Sequence, residues 1–216
     1  MKNYRHIIWD WNGTLLDDSR VCFDILNRML ARRGLSVVSQ EQYEEEFGFP
    51  VIDYYTHVGF DFKKESYGTL AKEFIDEYDL HELECQVRAD GIAAIAEFKN
   101  RGYRQSILSA LEQSRLHTAT LRLSLQHYFD DLVGVADYLA GGKIERGMQY
   151  IVGCNNCNAE EILMIGDTPH DYDVANALNI DCALIPGGHA SINRLRNTGA
   201  LIYTSINELM GDILKP

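Results

Sequence analysis

The chain has no long apolar run and no excess of basic residues. None of its uninterrupted apolar stretches approaches the roughly 20 residues that a membrane-spanning helix needs. With 20 Lys and Arg against 32 Asp and Glu, the formal net charge is −12. This balance argues against binding to nucleic acid or to an anionic membrane, because both depend on Lys and Arg. The apolar stretch after the basic residues 1–6 is interrupted at once by Asp10 and Asn12, so we expect no signal peptide and a cytoplasmic location.

The chain also lacks a matched set of cysteines or histidines with metal-binding spacing. Its five cysteines are an odd number in a chain without a secretory signal, which favours reduced thiols. Cys154 and Cys157 have the spacing of a metal or redox pair. Because no second pair accompanies them, we interpret them as two thiols near the end of a helix rather than as a zinc site.

The second half of the sequence has the pattern of an α/β protein. From about residue 90 onward, short apolar runs alternate with helical patterns, which predicts a mainly parallel sheet covered by helices on both faces. The predicted strands span residues 105–109, 132–135, 162–165, 182–185 and 201–203. The predicted helices span residues 91–100, 112–123, 145–152, 171–178 and 191–197, and a last helix begins after Ser205.

The segment from residue 17 to residue 86 has a different composition. It is rich in Glu, Asp, Tyr and Phe and contains no strand-like run. Its periodicity predicts helices over residues 21–32, 41–47, 51–57 and 67–78. We therefore predict a core formed by residues 1–16 and 87–216, and a small all-helical domain, residues 17–86, inserted after the first strand.

The stretch Asp10-Trp11-Asn12-Gly13-Thr14 follows a short apolar run at residues 6–9, which suits a buried strand. Gly13 permits a sharp turn, so Asp10 would lie at the carboxyl end of that strand, where open α/β sheets hold their ligands. The stretch resembles motif one of the haloacid dehalogenase-like (HAD) hydrolase superfamily, usually D-x-D-G-T. Asn12 stands where the superfamily has its second Asp.

Three further stretches match the remaining motifs of the superfamily in the same order. Ser109 matches the Ser or Thr of motif two, and Lys143 matches the Lys of motif three, although the Pro that commonly follows it is missing. Residues 162–171 match the strand and the G-D-x-x-x-D of motif four. The resemblance implies a Rossmann-like three-layer core, and the helical insert has the position of the cap in helical-cap members. Phosphoglycolate-phosphatase-like enzymes are the nearest group.

The resemblance also implies a mechanism and a set of site residues. Asp10 would attack phosphorus as a carboxylate nucleophile and form an aspartyl phosphate on a small phosphorylated metabolite. The cofactor would be Mg²⁺. Phosphate binding would fall to Gly13, Thr14, Ser109, Ala110 and Lys143. Metal binding would fall to Asp10, the main-chain carbonyl of Asn12, Asp167 and Asp171, the last bound through water or orienting Lys143. The oligomeric state is not defined by one sequence.

Asn12 removes a group that matters for turnover. In the usual scheme the second Asp protonates the leaving oxygen and later takes a proton from the attacking water. A carboxamide has no titratable proton at neutral pH, although its NH₂ can still donate hydrogen bonds. Losing general acid–base help costs roughly 10²- to 10⁴-fold in rate. We therefore expect phosphoryl transfer from good leaving groups, slow turnover of alkyl phosphates, and accumulation of the phosphoenzyme.

Three interpretations of Asn12 stay open at this point. The chain is a weak or specialised phosphatase, in which His170 or His189 acts as the base. Alternatively it resembles the phosphonate hydrolases of the superfamily, which lack the second Asp and use a cap lysine to form a Schiff base. The third interpretation is a relative that binds phosphate ligands without chemistry. The candidate cap lysines are Lys63, Lys64 and Lys72.

One segment of the insert bears on the substrate. Residues 47–51 read Phe-Gly-Phe-Pro-Val and resemble the cap loop that contacts the leaving group in this superfamily. The two aromatic side chains, Phe47 and Phe49, favour an apolar or planar leaving group. The insert contains no cluster of Arg that would indicate a second phosphate on the substrate.

Overall fold

Six parallel strands form the central sheet of the chain, which we describe from a computed structural model covering residues 2–154 and 158–215. The order of its strands is β5-β4-β1-β6-β7-β8, and every pair is parallel. These strands are β1 (His6–Trp9), β4 (Arg104–Glu112), β5 (Asp131–Val135), β6 (Ile162–Gly166), β7 (Asp181–Leu184) and β8 (Leu201–Ile202); β2 (Leu16–Asp17) and β3 (Gln86–Val87) form a separate antiparallel pair.

Helices cover both faces of this sheet, which confirms the predicted three-layer α/β fold. Successive side chains of a strand point to opposite faces, so Ile7 and Trp9 pack against one helical layer while Ile8 packs against the other. The first layer contains α5 (Ala89–Asn100), α6 (Gln113–Arg122) and α10 (Ile206–Ile213). The second layer contains α7 (Lys143–Gly153), α8 (Pro169–Ala177) and α9 (Ile192–Arg196).

Four helices between β2 and β3 form the helical segment, residues 19–81. They are α1 (Ser19–Arg32), α2 (Gln40–Glu46), α3 (Val51–His57) and α4 (Tyr67–His81). The segment has an apolar cluster of its own, built from residues such as Ile25, Met29 and Leu70. The expectation that residues 17–86 contain no strand is wrong at both ends, because Asp17 of β2 pairs with Gln86 of β3.

None of the helices in the described ranges has the length and apolar character of a membrane span. Cys22, Cys85 and Cys182 are buried free thiols, as expected. Cys154 is disulfide-bonded, so the expectation of a reduced thiol is wrong there. Cys157 lies outside the described residues.

His6 makes the stability of the core depend on pH. It is 4% exposed on β1, and its Nε2 lies 2.9 Å from Ser106 Oγ. Burial, followed by the charge of Arg104, lowers the pKa of His6 from 6.5 to about 4. The unfolded chain therefore binds a proton near pH 6.5 that the folded chain does not bind until about pH 4, so stability falls as the pH drops through this window.

We expect His6→Asn to remove this dependence, because Asn keeps a polar side chain beside Ser106 without a titrating group. When the pH is lowered from about 7.5 to about 5, the free energy of unfolding of the original chain should fall by on the order of 2 kcal/mol more than that of the variant. Urea unfolding at both pH values measures the difference. Parallel stability profiles for the two proteins would contradict the assignment.

Candidate active site

Three strands bring the predicted motifs to one edge of the sheet. β1 lies between β4 and β6, and Trp9 pairs with Ile107 on one side and Ile165 on the other. The carboxyl ends of these three parallel strands therefore adjoin, as in other open α/β sheets. Asp10 continues β1, and its N–H donates to Ile165 O at 2.8 Å. Motifs one, two and four thus meet beside Asp10.

Lys143 connects motif three to this edge. It is the first residue of α7, and Gly142 before it has a φ of 81°, a left-handed conformation that glycine adopts without strain. The Lys143 Nζ lies 2.5 Å from Asp10 Oδ1 and 2.6 Å from Asp171 Oδ1. Lys143 is 4% exposed. Burial works to lower its pKa, but the two carboxylates outweigh that effect and the pKa of Lys143 is raised.

Asp171 serves to hold Lys143 and to begin α8. Its second oxygen, Oδ2, accepts hydrogen bonds from Thr168 N at 3.0 Å, Thr168 Oγ1 at 2.7 Å and Asp167 N at 3.2 Å. Thr168 and Asp171 form a capping box, with Pro169 at the start of the helix. Since both oxygens of Asp171 have donors, the geometry favours the orienting role over binding of a metal through water.

Asp167 is fully buried, and two hydrogen bonds fix the orientation of its carboxylate. Its Oδ1 accepts from Thr14 Oγ1 at 2.8 Å, and its Oδ2 accepts from His189 N at 2.6 Å. A Cβ on Gly13 or on Gly188 would overlap the Asp167 carboxylate. These glycines therefore let two loops approach the acidic group closely.

The acidic cluster fits a divalent cation. One oxygen from each of Asp10, Asp167 and Asp171 lies within 4.8 Å of the others, and Lys143 supplies a single positive charge against three carboxylates. Burial and the neighbouring carboxylates, opposed by Lys143, raise the pKa of Asp10 to about 8. Burial also raises the pKa of Asp167 to about 6. A hard cation with oxygen ligands, such as Mg²⁺, would offset this excess of negative charge.

The predicted phosphate-binding residues divide into two groups. Ser109 and Ala110 lie in β4 and line the same cavity as Asp10 and Lys143. The Ser109 Oγ accepts from Leu111 N at 3.0 Å, which leaves its O–H able to donate.

Gly13 and Thr14, which were also predicted to bind phosphate, are engaged in hydrogen bonds within the protein. Thr14 is fully buried and its hydroxyl donates to Asp167. The N–H of Gly13 donates to Leu16 O and to Asp18 Oδ1, both at 2.9 Å. Both groups thus have partners within the protein, and their role in phosphate binding stays a prediction.

Asn12 is tied to a buried carboxylate that the sequence analysis missed. Asp18, the residue before α1, is fully buried. Its Oδ2 accepts from Asn12 Nδ2 at 2.6 Å and from Tyr78 O–H at 2.8 Å. The same Asn12 nitrogen lies 3.3 Å from the Tyr78 hydroxyl. Burial works to raise the pKa of Asp18, but the nearby His189 imidazole and the hydrogen bonds from Asn12 and Tyr78 lower it overall. The sequence gives no sign of this role for Asp18, except that Asp18 directly follows another aspartate, Asp17.

Of the two histidines proposed as a base, His189 reaches the site. It lines the cavity, its Nε2 lies 3.6 Å from Asp18 Oδ1, and its Nδ1 lies 2.9 Å from the Tyr43 hydroxyl. Burial works to lower the pKa of His189, but Asp18 and the other carboxylates raise it to about 9. His170 instead stacks on Phe49, with ring centroids 4.5 Å apart.

The candidate lysines of the insert lie away from the site. Lys72 binds Asp76 and Lys64 faces Asp61, in ion pairs whose lysines are mostly exposed to solvent. Lys63 is exposed, and none of the three lines the cavity beside Asp10. The phosphonate alternative therefore has no amine in place for a Schiff base.

A cavity of about 150 Å³ extends from Asp10 into the helical segment. Residues of that segment close it, and most of them are apolar or aromatic. They include Leu26, Tyr43, Phe47, Phe49, Val51, Tyr54, Tyr55, Tyr67, Ala71, Phe74, Ile75 and Tyr78. Charged side chains at the sheet edge thus line one end of the cavity, and mostly apolar or aromatic side chains of the helical segment line the other.

The chain resembles known proteins along most of its length. A phosphoglycolate phosphatase from Mesorhizobium japonicum is 24% identical over 188 residues, which are 85% of this chain and 83% of that one. The tyrosine-protein kinase PtkA of Mycobacterium tuberculosis is 22% identical over 212 residues, 94% and 70% of the two chains. The crystal structure of a predicted phosphatase from Clostridium acetobutylicum superposes with a TM-score of 0.82 at 22% identity, covering 98% of each chain.

The family model for haloacid dehalogenase-like hydrolases matches residues 7–185. This range begins in β1 and ends just after β7, so it contains Asp10, Ser109, Lys143 and Asp167 together with the helical segment. The match extends well beyond half of the 216 residues. The chain belongs to the haloacid dehalogenase-like hydrolase family.

Proposed function

We propose that this hydrolase is a Mg²⁺-dependent phosphatase that acts on a small phosphorylated metabolite through an aspartyl phosphate on Asp10. The observation that carries the proposal is the buried ammonium of Lys143, held between Asp10 and Asp171 at the carboxyl ends of the strands. A buried lysine at a cluster of carboxylates is suited to neutralise both the nucleophile and an incoming phosphoryl group.

Each residue of the edge has a role in this proposal. Lys143 holds Asp10 Oδ1, while Asp10 Oδ2 accepts no hydrogen bond from the described residues and is free to attack phosphorus. The Ser109 hydroxyl would donate a hydrogen bond to a phosphate oxygen. Asp10, the main-chain carbonyl of Asn12 and Asp167 would hold Mg²⁺, which supplies positive charge to the transferring group when it is bound.

Neither Asn12 nor His189 is placed to act as a general acid or base in the reaction at Asp10. The Asn12 amide has no titratable proton, and its Nδ2 is hydrogen-bonded to Asp18 and lies 3.3 Å from the Tyr78 hydroxyl. Both ring nitrogens of His189 face Asp18 and Tyr43, so this histidine is not placed to accept a proton from water. We therefore propose slow turnover, with the aspartyl phosphate as the species that accumulates.

We also propose that residues 17–86 act as a cap domain over the core of residues 1–16 and 87–216. Contacts between the helical segment and the core support this role. Arg194 Nη1 of α9 donates to the carbonyls of Phe47 at 2.5 Å and Glu44 at 3.0 Å. The Tyr67 hydroxyl donates to Leu139 O at 2.9 Å. Such closure excludes water and strengthens electrostatic contacts inside the site.

The proposal is tested by incubating the protein with Mg²⁺ and acetyl phosphate and then locating any phosphoryl group by peptide mass spectrometry. We expect a phosphorylated peptide that contains Asp10, and phosphate release that needs Mg²⁺. Asp10→Asn should reduce both signals to background. Release that persists in that variant would assign the activity to a contaminant. Phosphate binding without a phosphopeptide would indicate a non-catalytic protein.

A second candidate is phosphoryl transfer to a hydroxyl other than water. The lack of a placed base beside Asp10 favours it, because a long-lived aspartyl phosphate can react with any acceptor that enters the cavity. One relative carries the name of a tyrosine-protein kinase. Adding a tyrosine peptide to the labelled phosphoenzyme distinguishes the two: label on the peptide indicates transfer, and label in inorganic phosphate alone indicates hydrolysis.

A further inference from the structure

The cavity beside Asp10 and the hydrogen bonds of Asn12 together restrict the substrate. We propose that the site takes aryl phosphates, in which the departing oxygen is attached to an aromatic ring. This inference rests on the proposed phosphatase function and narrows its substrate class. Three independent features support it: the missing proton donor, the aromatic lining of the cavity, and the charges that the lining lacks.

The missing proton donor selects the leaving group. Because the Asn12 amide has no titratable proton, and its Nδ2 is already hydrogen-bonded to Asp18 with the Tyr78 hydroxyl 3.3 Å away, it does not protonate a departing oxygen. The oxygen must then leave as an anion. A phenol has a pKa of about 10, whereas an aliphatic hydroxyl lies much nearer to the value of about 15.7 for water. An aryl phosphate therefore needs the absent acid far less than an alkyl phosphate does.

The shape and lining of the cavity suit one aromatic ring. Its volume is about 150 Å³, and this includes the space beside Asp10 and Lys143 that the phosphoryl group would fill, so the rest suits a leaving group of about one ring rather than a larger one. Half-buried rings of Phe47, Tyr67 and Phe74 border it. Phe74 itself stacks on Tyr78, whose hydroxyl contacts Asn12. A ring bound here would pack edge or face against aromatic neighbours while its oxygen points toward Asp10.

The lining provides no spare cation for a charged leaving group. Among the described residues that border the cavity, the Lys, Arg and His side chains are Lys143, Arg115 and His189. Lys143 is held by Asp10 and Asp171, Arg115 is paired with Asp79, and His189 lies between Asp18 and the Tyr43 hydroxyl. A carboxylate or a second phosphate on the substrate would be buried without a partner, which is costly. Phosphoglycolate, whose leaving group carries a carboxylate, should therefore be a poor substrate.

The reaction balances without a proton from the protein. Asp10 Oδ2 forms a bond to phosphorus, the bond between phosphorus and the aryl oxygen breaks, and the electron pair leaves with the phenolate, which solvent protonates. Water then attacks the aspartyl phosphate, the bond between phosphorus and Asp10 breaks, and its electron pair returns to the carboxylate. The proton of that water ends on inorganic phosphate or in solvent.

The test compares leaving groups of similar size. We expect kcat/KM with Mg²⁺ to be at least about 10²-fold higher for phenyl phosphate than for cyclohexyl phosphate, the lower bound for a missing general acid. Acetyl phosphate, which has a good leaving group and no ring, should be turned over with a higher KM than phenyl phosphate. Phosphoglycolate should be slow. Equal kcat/KM for the phenyl and cyclohexyl esters would overturn the inference.

A pair of variants tests the contribution of the cavity. Phe74→Ala removes a ring from the lining and should lower the ratio of kcat/KM for phenyl phosphate to that for acetyl phosphate roughly tenfold. Phe62→Ala removes a ring of the same helical segment that does not border the cavity, and should leave the ratio unchanged. A ratio that is the same in both variants would overturn the aromatic recognition. A protein that releases no phosphate from acetyl phosphate and forms no phosphopeptide would instead remove the proposed function itself.

Discussion

The double variant Asn12→Asp/Asp18→Asn is expected to hydrolyse alkyl phosphates roughly 10²- to 10⁴-fold faster than the original chain. The exchange places a carboxyl group where the superfamily has its acid and base. It also preserves the hydrogen bond between the two positions with its direction reversed, because the amide at position 18 can donate to the carboxylate at position 12. The gain corresponds to about 3–5 kcal/mol of barrier. Steady-state phosphate release measures it.

The single variant Asn12→Asp is the informative control. It sets a second carboxylate within hydrogen-bonding distance of the buried Asp18, and two adjacent carboxylates do not both ionise easily. We expect a smaller rate gain and a lower melting temperature than in the double variant. Aryl phosphates should gain much less than alkyl phosphates, because their leaving oxygen needs no proton. A double variant without any gain on alkyl phosphates would contradict the role assigned to Asn12.

Most helices and strands could be predicted from the sequence because they are long enough to show a periodic pattern of apolar residues. The predicted strand at residues 162–165 corresponds to Ile162–Gly166, and the predicted helix at residues 51–57 corresponds to Val51–His57. The antiparallel pair β2 and β3 was missed because each strand has two residues. Two residues carry no periodic pattern, and their pairing depends on the chain returning to the core after the whole helical segment.

The sequence was sufficient to predict which residues come together at the site. It was not sufficient to predict which hydrogen bonds they form. Asp10 and Lys143 come together as the motifs imply. Sequence patterns name a residue type at a position, whereas the direction of a hydroxyl or an N–H depends on the surrounding fold. The Thr14 hydroxyl was therefore assigned to phosphate although it donates to Asp167. Asp18 was overlooked because a carboxylate before a helix usually acts as a simple cap, and here it binds Asn12 instead.

Lys143→Met is expected to destabilise the protein and to abolish phosphatase activity. The substitution leaves Asp10 and Asp171 buried at 7% and 1% exposure without the ammonium that they share. Removing one partner of a buried ion pair typically costs about 3–5 kcal/mol. In a chain of this size that loss lowers the melting temperature by roughly 6–20 °C, which calorimetry measures. Added Mg²⁺ should recover part of the loss, because a divalent cation also offsets the carboxylates.

The matched control for this prediction is Lys72→Met. Lys72 makes a similar short contact, 2.5 Å to Asp76, but both side chains are largely exposed, and exposed ion pairs contribute little to stability. We expect its melting temperature and its phosphate release to stay near those of the original chain. Equal melting temperatures for the two variants would show that Lys143 is not what stabilises the acidic cluster. Another positively charged group at this edge of the sheet would then have to balance the carboxylates during the proposed phosphoryl transfer.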